Sequence, residues 1–162
     1  AMRQIMDRLR LTAGEEKNSL RRLPEEDFHF LGYRIGRCYK PRTGRPYIGT
    51  RPAKKKVQGL CREISRQTSA VWEPLDVGEI VGKLNAKIRG WANYFCLGPV
   101  SQAYRAIESH ARKRLRQWLV RKHKVGGLGT ARWPNEHLHG TLGLIRITEK
   151  TREFPWAKRV KS

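Results

Sequence analysis

The carboxylates of this chain are few and scattered, which limits the metal chemistry that its sequence can support. The 162 residues include three aspartates, Asp7, Asp27 and Asp76, and none stands in an Asp-Asp or Asp-x-Asp pair. The eleven glutamates are dispersed among lysines and arginines. Polymerases and metal nucleases hold Mg²⁺ with at least two convergent carboxylates. We therefore expect no metal site and no two-metal catalysis from this chain on its own.

A histidine pair offers a different kind of chemistry. His137 and His139 are two residues apart, with Glu136 beside them. Such a group could act as metal ligand or general base in a histidine-dependent nuclease, although two such imidazoles are more often surface groups or contacts to RNA. No motif pairs a histidine with a nucleophilic serine or cysteine, and no glycine-rich phosphate loop is found. We assign no catalytic residue on this basis.

Positive charge dominates the composition. Lysine and arginine total 35 against 14 acidic residues, which leaves a formal net charge of +21. A compact chain with this excess repels itself unless its charges face an anionic partner. No apolar run approaches the ~20 residues that a membrane span needs, and the charged N-terminus does not suit a secretory signal. The composition predicts a cytoplasmic nucleic-acid-binding protein with no membrane partner.

The elements that position these charges begin with a short helix and a β-hairpin. Residues 2–11 carry a small apolar face that suits a helix. Residues 28–35 are rich in aromatic and β-branched side chains and predict a strand. The two prolines and the glycine of residues 40–46 predict a turn, after which residues 47–49 can return as a second, short strand. The hairpin would then carry a basic tip.

Three helices with one apolar face each are predicted next. In the first, apolar residues recur at i, i+3, i+4 and i+7 from Val57. The second begins at Asp76 as N-cap and keeps its apolar face through Phe95. The third runs from Pro99 to the glycine pair that starts at Gly126. Helices of this length with short connections bury their apolar faces against one another. We expect the core to include Leu84, Ile88, Trp91, Phe95 and Trp118.

The fold class that follows is mainly α. We expect an N-terminal β-hairpin within residues 1–49 and a three-helix bundle over residues 50–125. A small C-terminal extension, helical or irregular, would occupy residues 126–162, where a glycine-containing loop precedes a second apolar patch.

Cations crowd the polar sides of the predicted helices. Lys54, Lys55 and Lys56 occupy the first turn of the first helix, which is the unfavourable end for positive charge in the field of the helix dipole. A ligand with phosphates would justify that placement. Any one cation could be a solvated charge, but the acids that would normally alternate with them are missing. The predicted nucleic-acid-binding residues are Lys54, Lys55, Lys56, Arg62, Arg66, Lys83, Lys87, Arg89, Asn93, Arg112, Lys113, Arg116 and Lys122.

Residues 84–95, with the sequence LNAKIRGWANYF, resemble a known signature. The pattern LN-x-x-x-RGW-x-NYF is typical of the maturase-specific region of group II intron reverse transcriptases. Residues 28–32 resemble the F-x-FLG motif that closes the palm, and residues 51–56 resemble the P-[SA]-KK opening of the thumb. Residues 142–144 and 154–157 resemble the C-terminal end of lineages without a DNA-endonuclease domain. The RGW-x-NYF block is the specific part of this resemblance.

The resemblance implies a parent protein with RNA-directed DNA polymerase activity and a maturase role in RNA splicing. The chain lacks the fingers and the Tyr-x-Asp-Asp motif of the palm, while residues 12–17 resemble the last stretch of palm. We therefore expect a thumb and maturase region that is inactive by itself and needs no cofactor, Mg²⁺ belonging to the missing palm. The implied partners are group II intron RNA, the RNA/DNA template–primer duplex and the fingers and palm of the same polypeptide.

Two roles within the signature remain open, as do two other functions. Trp91 and Phe95 lie on the apolar face, which favours a core role over base stacking. Gly90 could admit a duplex or permit close helix packing. The alternatives to a maturase are a basic RNA-binding protein associated with the ribosome or tRNA, and a nuclease that uses His137 and His139.

Overall fold

The described part of the chain forms an antiparallel sheet of three strands followed by three long helices. The computed structural model describes residues 27–40, 42–152 and 154. The expected helix over 2–11, the palm-like segment 12–17 and most of the C-terminal motif at 154–157 lie outside the described residues. The strands are β1 (Phe28–Phe30), β2 (Tyr33–Tyr39) and β3 (Pro46–Pro52). The helices are α1 (Lys54–Gln67), α2 (Val77–Tyr94) and α3 (Ser101–Lys122). The predicted mainly α fold class is confirmed.

The sheet contains one strand more than the expected hairpin. The single strand predicted over residues 28–35 is interrupted at Leu31 and Gly32, whose φ angles are 49° and 83°. Two consecutive residues with positive φ make the tight turn that best matches the twist of a hairpin. Phe30 therefore pairs with Tyr33 across an antiparallel ladder. The sequence concealed this turn because leucine rarely adopts positive φ.

The second hairpin follows the predicted turn but has a longer return strand. In the turn, the Gly44 amide donates to the Lys40 carbonyl at 2.9 Å. The ladder that follows places Arg34 opposite Arg51, and it also pairs Gly36 with Gly49 and Cys38 with Tyr47. Side chains of residues that are directly opposite each other in an antiparallel ladder lie on the same face of the sheet. Arg34 and Arg51 thus lie side by side on the same face.

The helix boundaries agree with the predicted start and stop signals for α2, whereas α1 begins without a cap. Asp76 is the N-cap of α2, and its Oδ2 accepts from the Gly78 amide at 2.7 Å. Helix α1 starts directly after β3, with Ala53 at its N-cap, no side-chain cap and no acid in its first turn. Its N-terminal amides therefore meet three lysines without a compensating carboxylate.

The core lies between the three helices and extends into the C-terminal segment. Trp118 is fully buried, and its indole N–H donates to the Trp72 carbonyl at 3.2 Å. The expected core residues Leu84, Ile88 and Phe95 are also buried. The C-terminal segment, which includes a π-helical turn at His137–Thr141 and a 3-10 turn at Glu149–Arg152, adds further apolar side chains to this core. These are Trp133, Leu138, Leu144 and Ile147.

Trp91 differs from the expected core assignment. Its side chain is only half-buried and packs against the edge of the core. Its ring lies 4.5 Å from the Phe95 ring, centroid to centroid, and that contact fixes its orientation. Periodicity places Trp91 on the apolar face, but the edge of such a face is open to solvent at the end of a bundle.

The sheet is joined to the bundle through the last turn of α2. The Tyr33 hydroxyl donates to the Tyr94 carbonyl at 2.6 Å, and the Tyr94 hydroxyl donates to the Leu31 carbonyl at 2.9 Å. A Cβ at Gly32 would lie 3.0 Å from the Phe95 ring. The tight turn and the end of the signature segment are therefore packed against each other with no room for a side chain.

We expect Gly32→Ala to destabilise the fold more than Gly44→Ala. Both glycines have positive φ, 83° and 65°, but a Cβ at Gly44 would meet nothing within 4 Å. Gly44→Ala should cost about 1–2 kcal/mol from backbone strain alone. Gly32→Ala should cost a further ~1–3 kcal/mol because the methyl group crowds Phe95. Denaturant unfolding of the two variants measures the difference, and equal losses would contradict close packing at this joint.

Candidate nucleic-acid interface

The asparagines of the signature segment hold the C-terminal segment in place. The Asn85 side chain donates to the Gly143 carbonyl at 2.8 Å and accepts from the Ile145 amide at 2.8 Å. Asn93, which was predicted to contact nucleic acid, accepts from the Lys150 ammonium at 2.6 Å. Both side chains thus bind other parts of this chain.

A groove lies between the β1–β2 turn, α1 and the end of α2. Its volume is about 780 Å³, and we call it the aromatic groove. Trp91 and Tyr94 form its floor, and the Tyr94 side chain is 54% exposed. Lys55, Lys56 and Arg62 of α1 line it as well. The site therefore combines aromatic rings with cations, the two kinds of group that bind single-stranded nucleic acid.

The cations of the aromatic groove have no internal partners in the part of the chain that the structure describes. Lys55, Lys56 and Arg62 are exposed, and none of their side chains makes a hydrogen bond or ion pair to a described residue. No acidic residue is among those that line the groove. The uncapped N-terminus of α1 adds its own positive end to this surface. The potential over the rings is therefore positive and uncompensated.

The remaining predicted cations of α1 and α2 are partly neutralised. Arg66 and Lys87 share the Glu63 carboxylate, with N–O distances of 2.7 and 3.7 Å. The hydrogen bond from Arg66 is the main cause that lowers the pKa of Glu63 to about 2. Lys83 stands over the Trp72 ring, 4.7 Å from its centroid. Arg89 is exposed and without a partner among the described residues.

Most of the α3 cations that were predicted to bind nucleic acid instead make contacts within the protein. Arg112 pairs with Glu108 at 2.9 Å, and Arg116 donates to the Trp133 carbonyl at 2.9 Å. Lys122 donates to two carbonyls in the connection between α1 and α2, at 2.9 and 2.8 Å. Within the described chain, Lys113 alone of the four predicted α3 cations is exposed and without such a partner.

Two arginines of α3 that sequence reasoning did not single out complete the C-terminus of α1. The Arg114 guanidinium donates to the Ser65 carbonyl at 3.0 Å, and Arg121 donates to the Thr68 carbonyl. The last carbonyls of a helix lack intrahelical donors, so cations there are favourable. Burial lowers the pKa of Arg114, with the neighbouring charge of Arg121 as a lesser cause. No sequence pattern signals such contacts, because they depend on how two helices cross.

The histidines that suggested nuclease chemistry are not arranged for it. The His139 side chain is only 4% exposed, and its Nδ1 lies 2.7 Å from the Leu144 carbonyl oxygen. Its Nε2 lies 4.0 Å from the buried Glu108 carboxylate. No group of three His, Cys, Asp or Glu side chains among the described residues is placed to hold a metal ion. His139 therefore holds the C-terminal segment in place through its contact with Leu144. Because His139 is buried, His137 has no exposed histidine beside it.

Gly90 lies on the exposed side of α2. A Cβ at this position would meet nothing within 4 Å, so close helix packing does not explain the residue.

The comparison with known families agrees with this architecture. A model of the group II intron maturase-specific domain matches residues 57–137, which is half of the chain. The chain belongs to the group II intron maturase-specific domain family. This maturase domain includes most of α1 and all of α2 and α3, and the match confirms the resemblance carried by the RGW-x-NYF block. No curated protein matches the chain.

Family membership connects this maturase domain with RNA splicing of group II introns. It also bears on the choice of partner, because it favours intron RNA over the ribosome or tRNA. Among the described residues, no helix is long and apolar enough to cross a membrane.

We expect Lys122→Met to destabilise the maturase domain and Lys113→Met to leave its stability unchanged. Methionine retains most of the aliphatic stem, so the Lys122 variant chiefly loses the bonds to the Glu73 and Leu75 carbonyls. The loss should be about 1–2 kcal/mol. Thermal unfolding of both variants measures the difference. Equal melting temperatures would show that the Lys122 side chain does not stabilise the fold through these two carbonyls.

Proposed function

We propose that this maturase domain binds the folded RNA of a group II intron through the aromatic groove and so supports splicing. The observation that carries the proposal is the groove itself, where Lys55, Lys56 and Arg62 stand unpaired beside the rings of Trp91 and Tyr94. The net charge of +21 supports it, because a polyanion removes the repulsion that this charge imposes.

The cations and the aromatic rings of the groove would make different contacts with RNA. The three cations would contact phosphates, which gives affinity with a steep dependence on salt. The exposed Tyr94 ring and the half-buried Trp91 ring would stack on unpaired bases or riboses, with roughly 1–3 kcal/mol for each stacked base. Folded RNA presents unpaired bases at loops and bulges, whereas a regular duplex keeps its bases inside. The groove therefore suits a structured RNA.

Binding of this kind would support splicing without any catalytic group in the domain. A protein that binds only the folded RNA stabilises that fold by mass action. We extend the proposal to the parent polypeptide, in which the domain would also hold the RNA/DNA template–primer duplex beside the fingers and palm. DNA synthesis and its Mg²⁺ would then belong to the palm, and RNA binding here would need no cofactor.

Removing two cations from the groove should weaken RNA binding and reduce its salt dependence. We expect the double variant Lys56→Gln/Arg62→Gln to bind a group II intron RNA on the order of tenfold more weakly at physiological salt. The slope of log K against log salt should fall by about 1.5–2. Arg146→Gln is the matched control, because Arg146 is exposed on the C-terminal segment and pairs with Glu149 at 3.7 Å.

Filter binding over a range of salt concentrations gives both quantities. Transfer RNA serves as competitor. If tRNA competes as well as unlabelled intron RNA, the partner is not specific to introns. A double variant that matches the control in affinity and slope would remove the aromatic groove from the proposal.

The open position at Gly59 gives a second test. Gly59 lines the groove, and a Cβ there would meet nothing within 4 Å, as is also true of Gly82 on α2. Leucine at either position should stabilise its helix by about 0.5–1 kcal/mol. Gly59→Leu should nevertheless weaken RNA binding by filling the groove, while Gly82→Leu should bind normally. Unfolding and binding measured together decide the matter, and normal RNA binding by Gly59→Leu would contradict occupancy of the groove.

A further inference from the structure

A pair of arginines faces a second cavity, on the sheet. Arg34 and Arg51 are directly opposite each other in the β2–β3 ladder, and like charges in that position destabilise a sheet. Asp27 compensates one of them, since it accepts from the Arg34 guanidinium through both Nε, at 2.8 Å, and Nη2. The Arg51 side chain makes no hydrogen bond or ion pair to any residue in the described ranges. The strand pairing therefore retains an unfavourable contact that an anion would relieve.

The cavity lies between this face of the sheet and the first turn of α3. Its volume is about 850 Å³, and Arg37 and Arg105 line it together with Arg34 and Arg51. We call it the arginine pocket. Asp27 is the one carboxylate among its lining residues. The first turn of α3 carries no acid and has no side-chain cap, so its amides add to the positive potential. The guanidinium groups of Arg34, Arg51 and Arg105 are suited to bind a phosphate group.

An apolar crevice adjoins the arginine pocket. It has a volume of about 540 Å³ and lies between α1 and α3. The two cavities are neighbours, because both are lined by Arg34, Arg51, Pro99 and Gln102. The walls that belong to the crevice alone are mostly apolar, and they include Pro52, Val57, Cys61, Ala103 and Ala106. An apolar crevice beside several arginines has the chemistry of a site for one nucleotide.

Helix α1 separates this site from the aromatic groove. Lys55, Lys56, Gly59 and Arg62 line the groove, whereas Lys54, Val57, Gln58 and Cys61 line the crevice. At ~100° per residue the two sets are centred roughly 140° apart around the helix. The crevice and the groove are thus on opposite sides of α1.

We propose that the arginine pocket and the adjoining crevice bind one nucleotide of a single-stranded RNA segment. The phosphate lies among Arg34, Arg51 and Arg105, and the base enters the crevice between α1 and α3. A duplex cannot fill this site, because its bases are paired and stacked inside the helix. The site uses none of the residues of the aromatic groove, so it adds a second contact with RNA to the proposed function.

Two variants test the two halves of this site. Arg51→Gln removes the unpaired cation, and Ala106→Phe fills the crevice from an exposed position on α3. The probes are a fluorescent ten-residue oligouridine and an RNA duplex of ten base pairs. Arg51→Gln should bind oligouridine on the order of fivefold more weakly, with a salt slope lower by about 0.7. Ala106→Phe should weaken oligouridine binding without changing that slope, and duplex binding should be unaffected.

The controls separate this inference from the proposed function. Arg146→Gln removes an equal charge elsewhere, and Arg62→Gln reports on the aromatic groove. Arg51→Gln should unfold at the same temperature as the unmodified chain or higher, because it relieves the repulsion with Arg34. Supporting results are the losses above with folding intact, whatever Arg62→Gln does.

Three outcomes would overturn the inference. In the first, Arg51→Gln and Ala106→Phe bind oligouridine normally while Arg62→Gln does not, which leaves only the groove. In the second, Arg51→Gln weakens single strand and duplex equally and Ala106→Phe has no effect, which reduces the pocket to a patch of charge without base binding. In the third, every variant including Arg146→Gln loses affinity equally, which makes binding a matter of net charge.

Discussion

The contact between the β1–β2 turn and the last turn of α2 joins the sheet to the helical bundle, and the position of the aromatic groove depends on it. Phe95 packs on Gly32, and the hydroxyls of Tyr33 and Tyr94 bond across the same joint. The sheet is thereby fixed against the bundle, with α1 leaving β3 directly. One side of α1 then faces the rings of the signature segment, and the other faces α3. The aromatic groove includes residues of this joint, and the apolar crevice lies on the other side of α1.

The excess of positive charge is distributed between structural and exposed positions. Cations in the second half of α3 complete the C-terminus of α1 and its connection to α2, where unpaired carbonyls need donors. Cations in the first turn of α1 meet an uncapped N-terminus and have no carboxylate beside them. The first arrangement stabilises the fold, while the second costs stability. A basic chain can therefore carry some arginines and lysines that stabilise the fold and others that are available to bind a ligand.

The sequence predicts the helices well because apolar periodicity and the Asp76 cap are local signals. It does not predict the Leu31 turn, because positive φ at leucine is imposed by the packing of Gly32 on Phe95. It also cannot separate Lys122, which bonds to carbonyls far away in sequence, from Lys113, which faces solvent. The C-terminal segment escapes prediction for the same reason, since Asn85 and His139 hold it through contacts made only after folding. The RGW-x-NYF motif identifies the aromatic residues of the groove. It does not predict that the Trp91 side chain is only half-buried.

Helix α1 begins without a cap. The stability of its first turn therefore depends on what binds on either side of the helix. Lys54, Lys55 and Lys56 repel one another at the positive end of the helix dipole, so the first turn is less stable than a turn with an acidic cap. An anion bound on either side of α1 would neutralise part of this charge and stabilise the turn. The stability of this helix end would then be linked to the occupancy of both of its sides.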